Sequence, residues 1–326
     1  MSLRISVVVP TYKRPELLER CLKGLLTQKF TPADFEIIIV DDAASDTTKK
    51  QVENWARQTQ ETGHTIHYVL VTGPRHGPAA ARNCGWRSAQ AEIIAFTDDD
   101  CIPEMYWLQM GVNAFTDDIA AISGRIVVPL PSVPTDYEYK AAQIQHSEFA
   151  TANCFYRRTV LAQVGGFDER FTIACREDSD LFFTLQRQHS ICIFAPEAVV
   201  MHPVRAAGWG VSLRQQRKSM FNALLFKKHP DLYRQRIQAA PPWHYYGIVG
   251  CLLLTLLGLF MQISFLAIIA LLAWLYMTGR ICIQRLRKRS HAPGHILEVI
   301  ITSVLIPPLA VFWRLWGAIR FRVPFL

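Results

Sequence analysis

The sequence lacks the short motifs that identify several common classes of protein. None of its 8 cysteines is spaced as CxxC, which argues against zinc ribbons and thioredoxin-type redox sites. Neither the dinucleotide-binding pattern GxGxxG nor the phosphate-loop pattern GxxxxGK followed by Ser or Thr occurs. The N-terminal MSLRISVVVP has no long apolar run. We therefore expect no cleaved signal peptide and cysteines that stay reduced in the cytosol.

Charge of either sign is missing from residues 240–279, although the chain as a whole has a net charge of +8. Residues 1–200 contain 19 basic and 25 acidic residues, whereas residues 201–239 and residues 280–326 each contain 8 basic and 1 acidic. Nucleic-acid-binding proteins carry their positive charge on the folded domain. Here it flanks an apolar stretch instead, as on the cytoplasmic side of membrane proteins. We expect membrane lipids, and no nucleic acid, as partners.

The apolar stretch is too long for one simple crossing. Gly247 to Gly279 contains no Asp, Glu, Lys, Arg or Pro, and as one helix it would run about 50 Å against a hydrocarbon core of roughly 30 Å. A helical hairpin over residues 241–284, broken near Gln262–Ser264, fits better. It also returns the basic cluster Arg285–Arg289 to the cytosol, as the positive-inside rule requires.

A third apolar stretch, Ile296–Trp313, contains Glu298 and is interrupted by Pro307-Pro308. It either crosses the membrane or forms a re-entrant or interfacial element. The sequence is thus divided into residues 1–210 as a globular domain, 211–240 as a basic amphipathic interfacial helix, 241–284 as the transmembrane hairpin, and 285–326 as a basic loop with a third transmembrane or re-entrant segment.

The first hundred residues alternate between apolar runs of strand length and segments with helical spacing. Strands are predicted at Ile5–Val9, Glu36–Val40, Thr65–Val71 and Glu92–Phe96, and helices at Arg14–Leu26, Thr47–Gln60 and Pro78–Ala89. This alternation predicts an α/β fold with a mainly parallel central sheet. Ligands of such sheets bind beyond the carboxyl ends of the strands, where polar residues stand in this sequence.

Three adjacent carboxylates, Asp98-Asp99-Asp100, follow the fourth predicted strand. They repel one another unless a cation compensates, and Mg²⁺ or Mn²⁺ shared with substrate phosphates is the usual solution. A solvated turn is the alternative. Asp41-Asp42 follow the second predicted strand, and Asp42 could accept a hydrogen bond from a nucleobase. Asp46, in the same segment, is expected to cap the next helix.

Other polar groups could complete a site. Arg82 lies one turn into a predicted helix that follows His76-Gly77, a place suited to phosphate. Glu177 and Asp178 precede a helical run, where they could cap the helix or act as a general base. His202 follows the apolar run Ile191–Met201 and is either structural or a further metal ligand.

These segments resemble the family 2 glycosyltransferases of the GT-A fold. VVVPTYKRPELLERCL, VDDAASD, GPAAARNCGWRSAQAEIIAFTDDD and GGFDERF followed by REDSDL are similar to that family's ordered motifs, over roughly residues 4–230. The resemblance implies a nucleotide-diphospho-sugar transferase fold with a DXD motif, followed here by C-terminal transmembrane helices.

The resemblance also implies roles for individual residues. Nucleotide-sugar contacts would come from Pro10, Thr11, Tyr12, Asp42, Arg82, Asp98 and Asp99, and a Mg²⁺ or Mn²⁺ ion would be held by Asp98, Asp100 and His202. Asp178 would be the catalytic base, with Glu177 beside it. Asn153 and Phe167 lie in segments that shape the acceptor side.

The function implied is a metal-dependent, inverting hexosyltransferase of the cytoplasmic membrane, multi-pass, with its catalytic domain in the cytosol. It would move a sugar from a nucleotide-sugar, by default UDP-linked, to a lipid-linked or cell-envelope glycan. A polyprenyl-phosphate sugar synthase is the alternative. A processive polysaccharide synthase is less favoured, because the stretch Arg214–Lys218 lacks the tryptophan of that class's QxxRW motif.

Overall fold

The chain folds as two units whose segments interleave in the sequence. The computed structural model describes residues 3–325. The first unit, here called the sheet unit, comprises the chain up to Pro129 together with Gln143–Arg205. The second, here called the helical unit, comprises Leu130–Ala142 together with the chain from Ala206 onward. A short insertion after one strand of the sheet thus belongs to the helical unit.

The strands and helices follow one another with short connections. The strands are β1 Ile5–Thr11, β2 Phe35–Asp41, β3 Thr65–Leu70, β4 Ile93–Phe96, β5 Ile102–Pro103, β6 Ile119–Val127, β7 Cys154–Arg157 and β8 Ile191–Met201. The helices are α1 Pro15–Leu26, α2 Asp46–Thr59, α3 Pro78–Ser88, α4 Trp107–Asn113, α5 Asp136–Ala141, α6 Arg158–Val164, α7 Glu177–Arg187, α8 Val211–Gln215, α9 Phe221–Lys228, α10 Pro230–Arg236, α11 Trp243–Phe260, α12 Ser264–Leu286 and α13 Pro293–Phe321.

All eight strands join one mixed sheet in the order β3-β2-β1-β4-β7-β6-β8-β5. β1 pairs in parallel with β2 and β4, β2 with β3, and β6 with β8. β7 is antiparallel to both β4 and β6, and β5 is antiparallel to β8. The expected GT-A-like architecture, a mostly parallel sheet with helices, is confirmed, and the carboxyl ends of β1, β2 and β4 lie at one edge.

The hydrophobic sequence explains why these strands occupy the centre of the sheet. The side chains of Ile5 and Val7–Val9 in β1 and of Ile37–Val40 in β2 are at most 1% exposed, as expected for strands covered on both faces. Helix α3 packs closely on them at Gly85, where a Cβ atom would lie 2.3 Å from Val8 Cγ1. Only glycine permits that approach, which fixes the helix that carries Arg82.

The cap of α2 differs from the one expected from the sequence. Ser45, and not Asp46, is the N-cap residue: its hydroxyl accepts a hydrogen bond from the Thr48 backbone N–H, and Asp46 is the first helical residue. The difference is one residue because both Ser and Asp are good caps, and Asp41 fixes the loop by accepting a hydrogen bond from Ser45 N–H at 2.7 Å.

Three helices of the helical unit, α11, α12 and α13, are long and apolar enough to cross a membrane, with mean hydropathies of 1.6, 2.0 and 2.1. Met261–Ile263 separates α11 from α12. The two pack through Gly258, where a Cβ atom would lie 2.8 Å from Ala267 N. The prolines predicted to interrupt the third segment do not do so: α13 continues through Pro307 and Pro308.

Residues 211–240, for which the sequence predicts one amphipathic helix, form three short helices, α8 to α10, with a 3-10 turn at Gln216–Met220. Most apolar side chains of α9 are buried, including Phe221 and Leu224 at 0% exposure. They pack on the end of α13, where Phe221 contacts Phe321 with a 6.1 Å centroid separation. This packing limits the apolar surface that α9 exposes.

Candidate active site

A first group of hydrogen-bonded side chains joins the ends of β1 and β4. Thr11 Oγ1 donates to Asp99 Oδ2 at 2.8 Å, and Arg14 Nη1 donates to Asp99 Oδ1 at 3.2 Å. The Asp99 side chain is 2% exposed. Burial raises the pKa of Asp99, although Arg14 and Thr11 oppose this effect. Asp99 therefore holds the end of β1 in place. Pro10 belongs to this strand end, and the ring of Tyr12, the residue that follows the strand, is exposed.

Arg82 links two elements that are far apart in sequence. It lies on α3, which begins at Pro78, and its Nη2 donates to Asp98 Oδ1 at 2.9 Å while its Nη1 donates to Glu177 Oε1 at 3.0 Å. Burial disfavours the ionised form of Asp98, but Arg82 and His202 outweigh it and lower the pKa of Asp98. Asp98 is thus a carboxylate at neutral pH, and its side chain is 24% exposed.

Glu177 and Asp178 open α7 but differ in their surroundings. Glu177 is 3% exposed, and its two oxygens accept hydrogen bonds from Arg82 and from Cys175 N–H at 2.6 Å. Burial raises the pKa of Glu177 to about 7, against the effect of Arg82. Asp178 is only partly buried. Both of its hydrogen bonds, from Ser179 N–H at 2.7 Å and Ser179 Oγ at 3.3 Å, fall on Oδ1.

The backbone that presents these carboxylates adopts an unusual conformation. Arg176, immediately before α7, has φ of +76°. Non-glycine residues rarely adopt the left-handed region, and they persist there where the surrounding structure enforces it. Burial also raises the pKa of Asp178, although the Ser179 N–H opposes this effect. A partly exposed carboxylate with a raised pKa has the properties of a general base.

Asp100 and His202 form a potential metal site at the ends of β4 and β8. Ligand atoms of Asp100, Cys101 and His202 all lie within 4.8 Å of one another. The Asp100 side chain is 1% exposed, and within residues 3–325 neither of its oxygens has a hydrogen bond of regular geometry. Its charge is compensated by an ion pair with Arg205 Nε, and His202 Nε2 lies 3.7 Å from Oδ1.

This donor set fits a divalent ion. A buried carboxylate without regular hydrogen bonds offers the oxygen ligand that Mg²⁺ and Mn²⁺ prefer, and the neighbouring imidazole offers a nitrogen ligand that Mn²⁺ accepts more readily than Mg²⁺. The Cys101 thiol fits less well, because burial, followed by Asp98 and Asp100, raises its pKa far above the usual range and only a thiolate binds metals strongly. Asp98, the third expected ligand, has its Oδ1 paired with Arg82.

The aspartates after β2 have separate tasks. Asp41 is fully buried and holds its own loop by accepting from Ala43 N–H at 2.8 Å and from Tyr68 Oη at 3.0 Å. Asp42 faces the loop before α3: Oδ1 lies 2.7 Å from His76 Nδ1, and Oδ2 accepts from Gly77 N–H at 2.7 Å. Asp42 is therefore positioned by the loop that begins helix α3.

Asn153 has a structural role in the sheet unit. It is 0% exposed. Its Oδ1 accepts from Trp107 Nε1 at 2.8 Å, and its Nδ2 donates to Arg125 O and Ala198 O, each at 2.9 Å. Its side chain is thus fully engaged in holding β6, β8 and α4 together. Phe167, also expected on the acceptor side, is 3% exposed and lies against Phe96 and the Arg82 guanidinium.

Residues 6–173, more than half of the chain, match glycosyl transferase family 2. The chain belongs to this family. The description glycosyl transferase family group 2 also matches, over residues 93–278. The family assignment made from the sequence motifs is confirmed, and glycosyltransferase activity follows from it.

Several glycosyltransferases are similar to this family member. Glycosyltransferase AglE of Haloferax volcanii is 24% identical over 216 residues, 63% of this chain and 68% of AglE. Chondroitin synthase of Escherichia coli is 25% identical over 71% of this chain and 39% of its own length. GalNAc(5)-diNAcBac-PP-undecaprenol beta-1,3-glucosyltransferase of Campylobacter jejuni is 39% identical over 97 residues, 30% of this chain and 29% of that enzyme. The matches thus cover less than half of the last two proteins.

One solved structure of a glycosyltransferase resembles nearly the whole chain. Mannosyltransferase PcManGT from Pyrobaculum calidifontis, in complex with GDP-Man and Mn²⁺, aligns over 99% of this chain and 88% of its own, with a TM-score of 0.57 and 18% identity. At this identity the likeness concerns the fold, and it agrees with the mixed sheet described above.

Two arginines of this glycosyltransferase were not identified by sequence reasoning. Arg14 binds Asp99, and Arg205 pairs with Asp100. Arg205 stands three residues after His202, beyond the end of β8, so its position in sequence is a signal that could have been used. Arg14 precedes the first residue of α1, and nothing in its local sequence distinguishes it from a surface arginine.

Proposed function

We propose that this chain is a membrane-anchored, inverting glycosyltransferase that transfers a sugar from a nucleotide-sugar to a lipid-linked or cell-envelope glycan. The observation that carries the proposal is the convergence of Asp98, Arg82, Glu177 and Asp178 at one edge of the sheet. A hydrogen-bonded path leads from Asp98 through Arg82 to Glu177, and Asp178 follows directly. It links a candidate donor-binding carboxylate to a candidate base.

The donor would occupy the carboxyl ends of β1, β2 and β4. Pro10, Thr11 and Tyr12 would line the nucleotide base, and Asp42, already oriented by Gly77 N–H, would accept from a base N–H. A UDP-linked sugar is the default on family resemblance. Arg82 would lie near the diphosphate, and because it already binds Asp98 and Glu177, its main task there would be to hold these carboxylates in place.

Asp100 and His202, with Asp98 nearby, would hold Mg²⁺ or Mn²⁺. When bound, the ion would supply positive charge against the leaving diphosphate. Arg205 also contributes positive charge at this place, because it pairs with the Asp100 carboxylate. The Mn²⁺ in the PcManGT complex supports the proposal that a divalent ion binds here.

Asp178 would act as the general base. Its Oδ1 is held by Ser179, which orients the side chain for an acceptor hydroxyl. The hydroxyl would lose its proton to Asp178 and attack the anomeric carbon from the side opposite the leaving diphosphate, so the configuration at that carbon inverts. Glu177, engaged by Arg82 and Cys175 N–H, would fix the start of α7 and would not itself receive the proton.

The helical unit would anchor the enzyme as a multi-pass protein of the cytoplasmic membrane, with the sheet unit in the cytosol. The three apolar helices and the basic residues that flank them support this placement. The basic segment 211–240 would lie at the anionic leaflet. The undecaprenol-linked substrate in the name of the Campylobacter relative supports a lipid-linked acceptor.

A polyprenyl-phosphate acceptor is the second candidate, favoured by the net charge of +7 over residues 201–239, where 8 basic residues outnumber 1 acidic. The two acceptors differ in their need for a base. A phosphate is already ionised at neutral pH, whereas a hydroxyl must lose its proton. An indispensable Asp178 would therefore favour the hydroxyl acceptor.

The proposal is tested with membranes that contain the full chain, a panel of UDP- and GDP-linked sugars, and added Mn²⁺ or Mg²⁺. Release of nucleoside diphosphate from one donor, increased by membrane lipid extract and abolished by a chelator, supports it. If membranes that contain the full chain release nucleoside diphosphate from none of the donors, the proposal is contradicted. The anomeric configuration of the product, determined by NMR, tests inversion separately.

A further inference from the structure

The helical unit contains a cavity of about 270 Å³, and every residue that lines it belongs to that unit. Its walls come from the start of α5, the segment before and within α8, the end of α12 and the first turns of α13. The polar and aromatic lining residues include Asp136, Trp209, Ser212, Arg285, His295 and Glu298. This volume lies just below the roughly 300 Å³ at which pockets for drug-sized ligands begin, so a small ligand fits.

One wall of the cavity is a rigid hydrogen-bonded network. Arg285 donates to Asp136 Oδ2 from Nη2 at 2.8 Å and from Nε at 3.0 Å, and its Nη1 donates to Thr302 Oγ1 at 2.8 Å and Ser303 Oγ at 3.0 Å. His295 Nε2 accepts from Asp136 N–H at 3.0 Å. Because its members hold one another, this wall is formed before any ligand arrives.

Two further lining residues, Ser212 and Glu298, offer polar groups that a ligand could satisfy. Ser212 is 8% exposed, and its Oγ has no hydrogen-bond partner among residues 3–325. A buried hydroxyl without a partner is costly. Glu298 Oε1 accepts from Gly210 N–H at 2.8 Å, which fixes that carboxylate at the rim. Trp209, the residue before Gly210, is 55% exposed, an unusual exposure for an indole beside a cavity.

The charges on and next to the cavity lining cancel once Lys140, which is not itself part of the lining, is counted. Asp136 and Glu298 are acidic, Arg285 is basic, and Lys140 Nζ lies 3.0 Å from Asp136 Oδ2. An anion such as phosphate would gain little attraction here, because the arginine is already neutralised by Asp136. A neutral ligand that both donates and accepts hydrogen bonds, with apolar C–H groups for an aromatic face, matches this lining better.

We propose that this cavity binds one sugar residue, with its C–H face on Trp209 and its hydroxyls toward Ser212 and Glu298. This inference rests on the proposed function, because the sugar would belong to the glycan acceptor. It assigns acceptor recognition to the helical unit, which otherwise serves only as an anchor.

The test uses the full chain in detergent micelles. Saturation-transfer NMR measures the binding of methyl glycosides of glucose, galactose, mannose and N-acetylglucosamine, with inorganic phosphate as the competing probe. We expect at least one glycoside to bind, and its affinity to fall about tenfold in Trp209→Ala and several-fold in Ser212→Ala. Trp243→Ala, which removes a tryptophan that is 61% exposed and does not line the cavity, should leave binding unchanged.

Nucleotide release without added acceptor separates this inference from the proposed function. It should be the same in wild type, Trp209→Ala and Ser212→Ala. Glycoside binding that neither substitution affects, or that phosphate displaces, overturns the cavity assignment while leaving glycosyl transfer intact. Glycoside binding that depends on Trp209, in a protein that turns over no nucleotide-sugar, supports the cavity and contradicts the proposed function.

Discussion

Arg82 Nη1 lies 3.0 Å from Glu177 Oε1, and each of these side chains is only 3% exposed. The same guanidinium donates to Asp98 at 2.9 Å. One buried arginine therefore joins the carboxylate at the end of β4 to the first residue of α7, 95 positions along the chain from Arg82. The candidate donor site and the candidate base depend on this one side chain for their relative positions.

Replacement of Arg82 by alanine should abolish turnover and lower the free energy of unfolding by about 3–5 kcal/mol, because it leaves buried carboxylates unpaired. Arg82→Lys should rescue little, since a single ammonium cannot hold two carboxylates as the planar guanidinium does. Thermal unfolding and nucleotide release measure the two effects.

The matched control is Arg87→Ala on the same helix, where the arginine is 54% exposed and pairs with Glu169 at 3.5 Å. This variant should have about the same thermal stability and rate of nucleotide release as wild type. Equal behaviour of the Arg82 and Arg87 variants would show that the buried bridge has no special role.

Folding stability should depend on pH through Glu177. Its pKa is about 7 in the folded protein against an ordinary 4.5. Between these values the folded protein retains a proton that the unfolded chain has released, so stability falls as the pH rises through this window. Wild type should therefore lose roughly 5 °C more in Tm than Glu177→Gln between pH 5 and pH 8. Parallel Tm profiles for the two proteins would rule out this titration.

Gly77 should not tolerate a side chain. Its φ is +113°, and a Cβ atom would lie 2.5 Å from Thr172 O. Gly77→Ala should lower the free energy of unfolding by roughly 2 kcal/mol. It should also weaken nucleotide-sugar binding, because the Gly77 N–H donates the hydrogen bond that orients Asp42. Gly73→Ala is the control, since no atom lies within 4 Å of the corresponding Cβ. Titration with nucleoside diphosphate, together with thermal unfolding, compares the two variants.

Metal affinity should depend on His202 and Asp100. His202→Ala leaves the Asp100–Arg205 ion pair in place, so it removes one ligand without exposing an unpaired carboxylate. Mn²⁺ binding, followed by calorimetry or by paramagnetic resonance, should weaken at least about tenfold, and more in Asp100→Asn. The control is Glu104→Gln, an exposed carboxylate on the segment after β5. Unchanged Mn²⁺ affinity in both site variants would exclude this ligand set.

The sequence predicted the first half of the sheet well because its signals are local. Ile5–Val9 lies within β1, Glu36–Val40 within β2, and Thr65–Val71 overlaps β3 to within one residue. Runs of five to seven residues rich in β-branched side chains are too short for a typical helix, which favours a strand. The polar residues that end these strands were therefore placed at the correct edge.

The separate surroundings of the three carboxylates after β4 could not be predicted. Asp98 pairs with Arg82, Asp99 with Arg14 and Asp100 with Arg205. Successive side chains at a strand end point in different directions, and each partner comes from a different part of the chain. Sequence spacing contains no information on such pairings, which depend on the tertiary fold. The helix that continues through Pro307 and Pro308 is a similar case, since packing outweighed the local cost of two prolines.

Sugar transfer by Asp178→Asn tests most directly whether Asp178 is the catalytic base. Membranes that contain wild type or the variant are given labelled nucleotide-sugar, and label is measured in the extracted lipid and glycan fractions. We predict transfer by wild type and a decrease of about 10²–10⁴-fold in the variant, with donor affinity unchanged. Asp118→Asn, which alters an exposed carboxylate bonded to Thr116, should transfer normally. Transfer by Asp178→Asn at the wild-type rate would show that Asp178 is not the catalytic base.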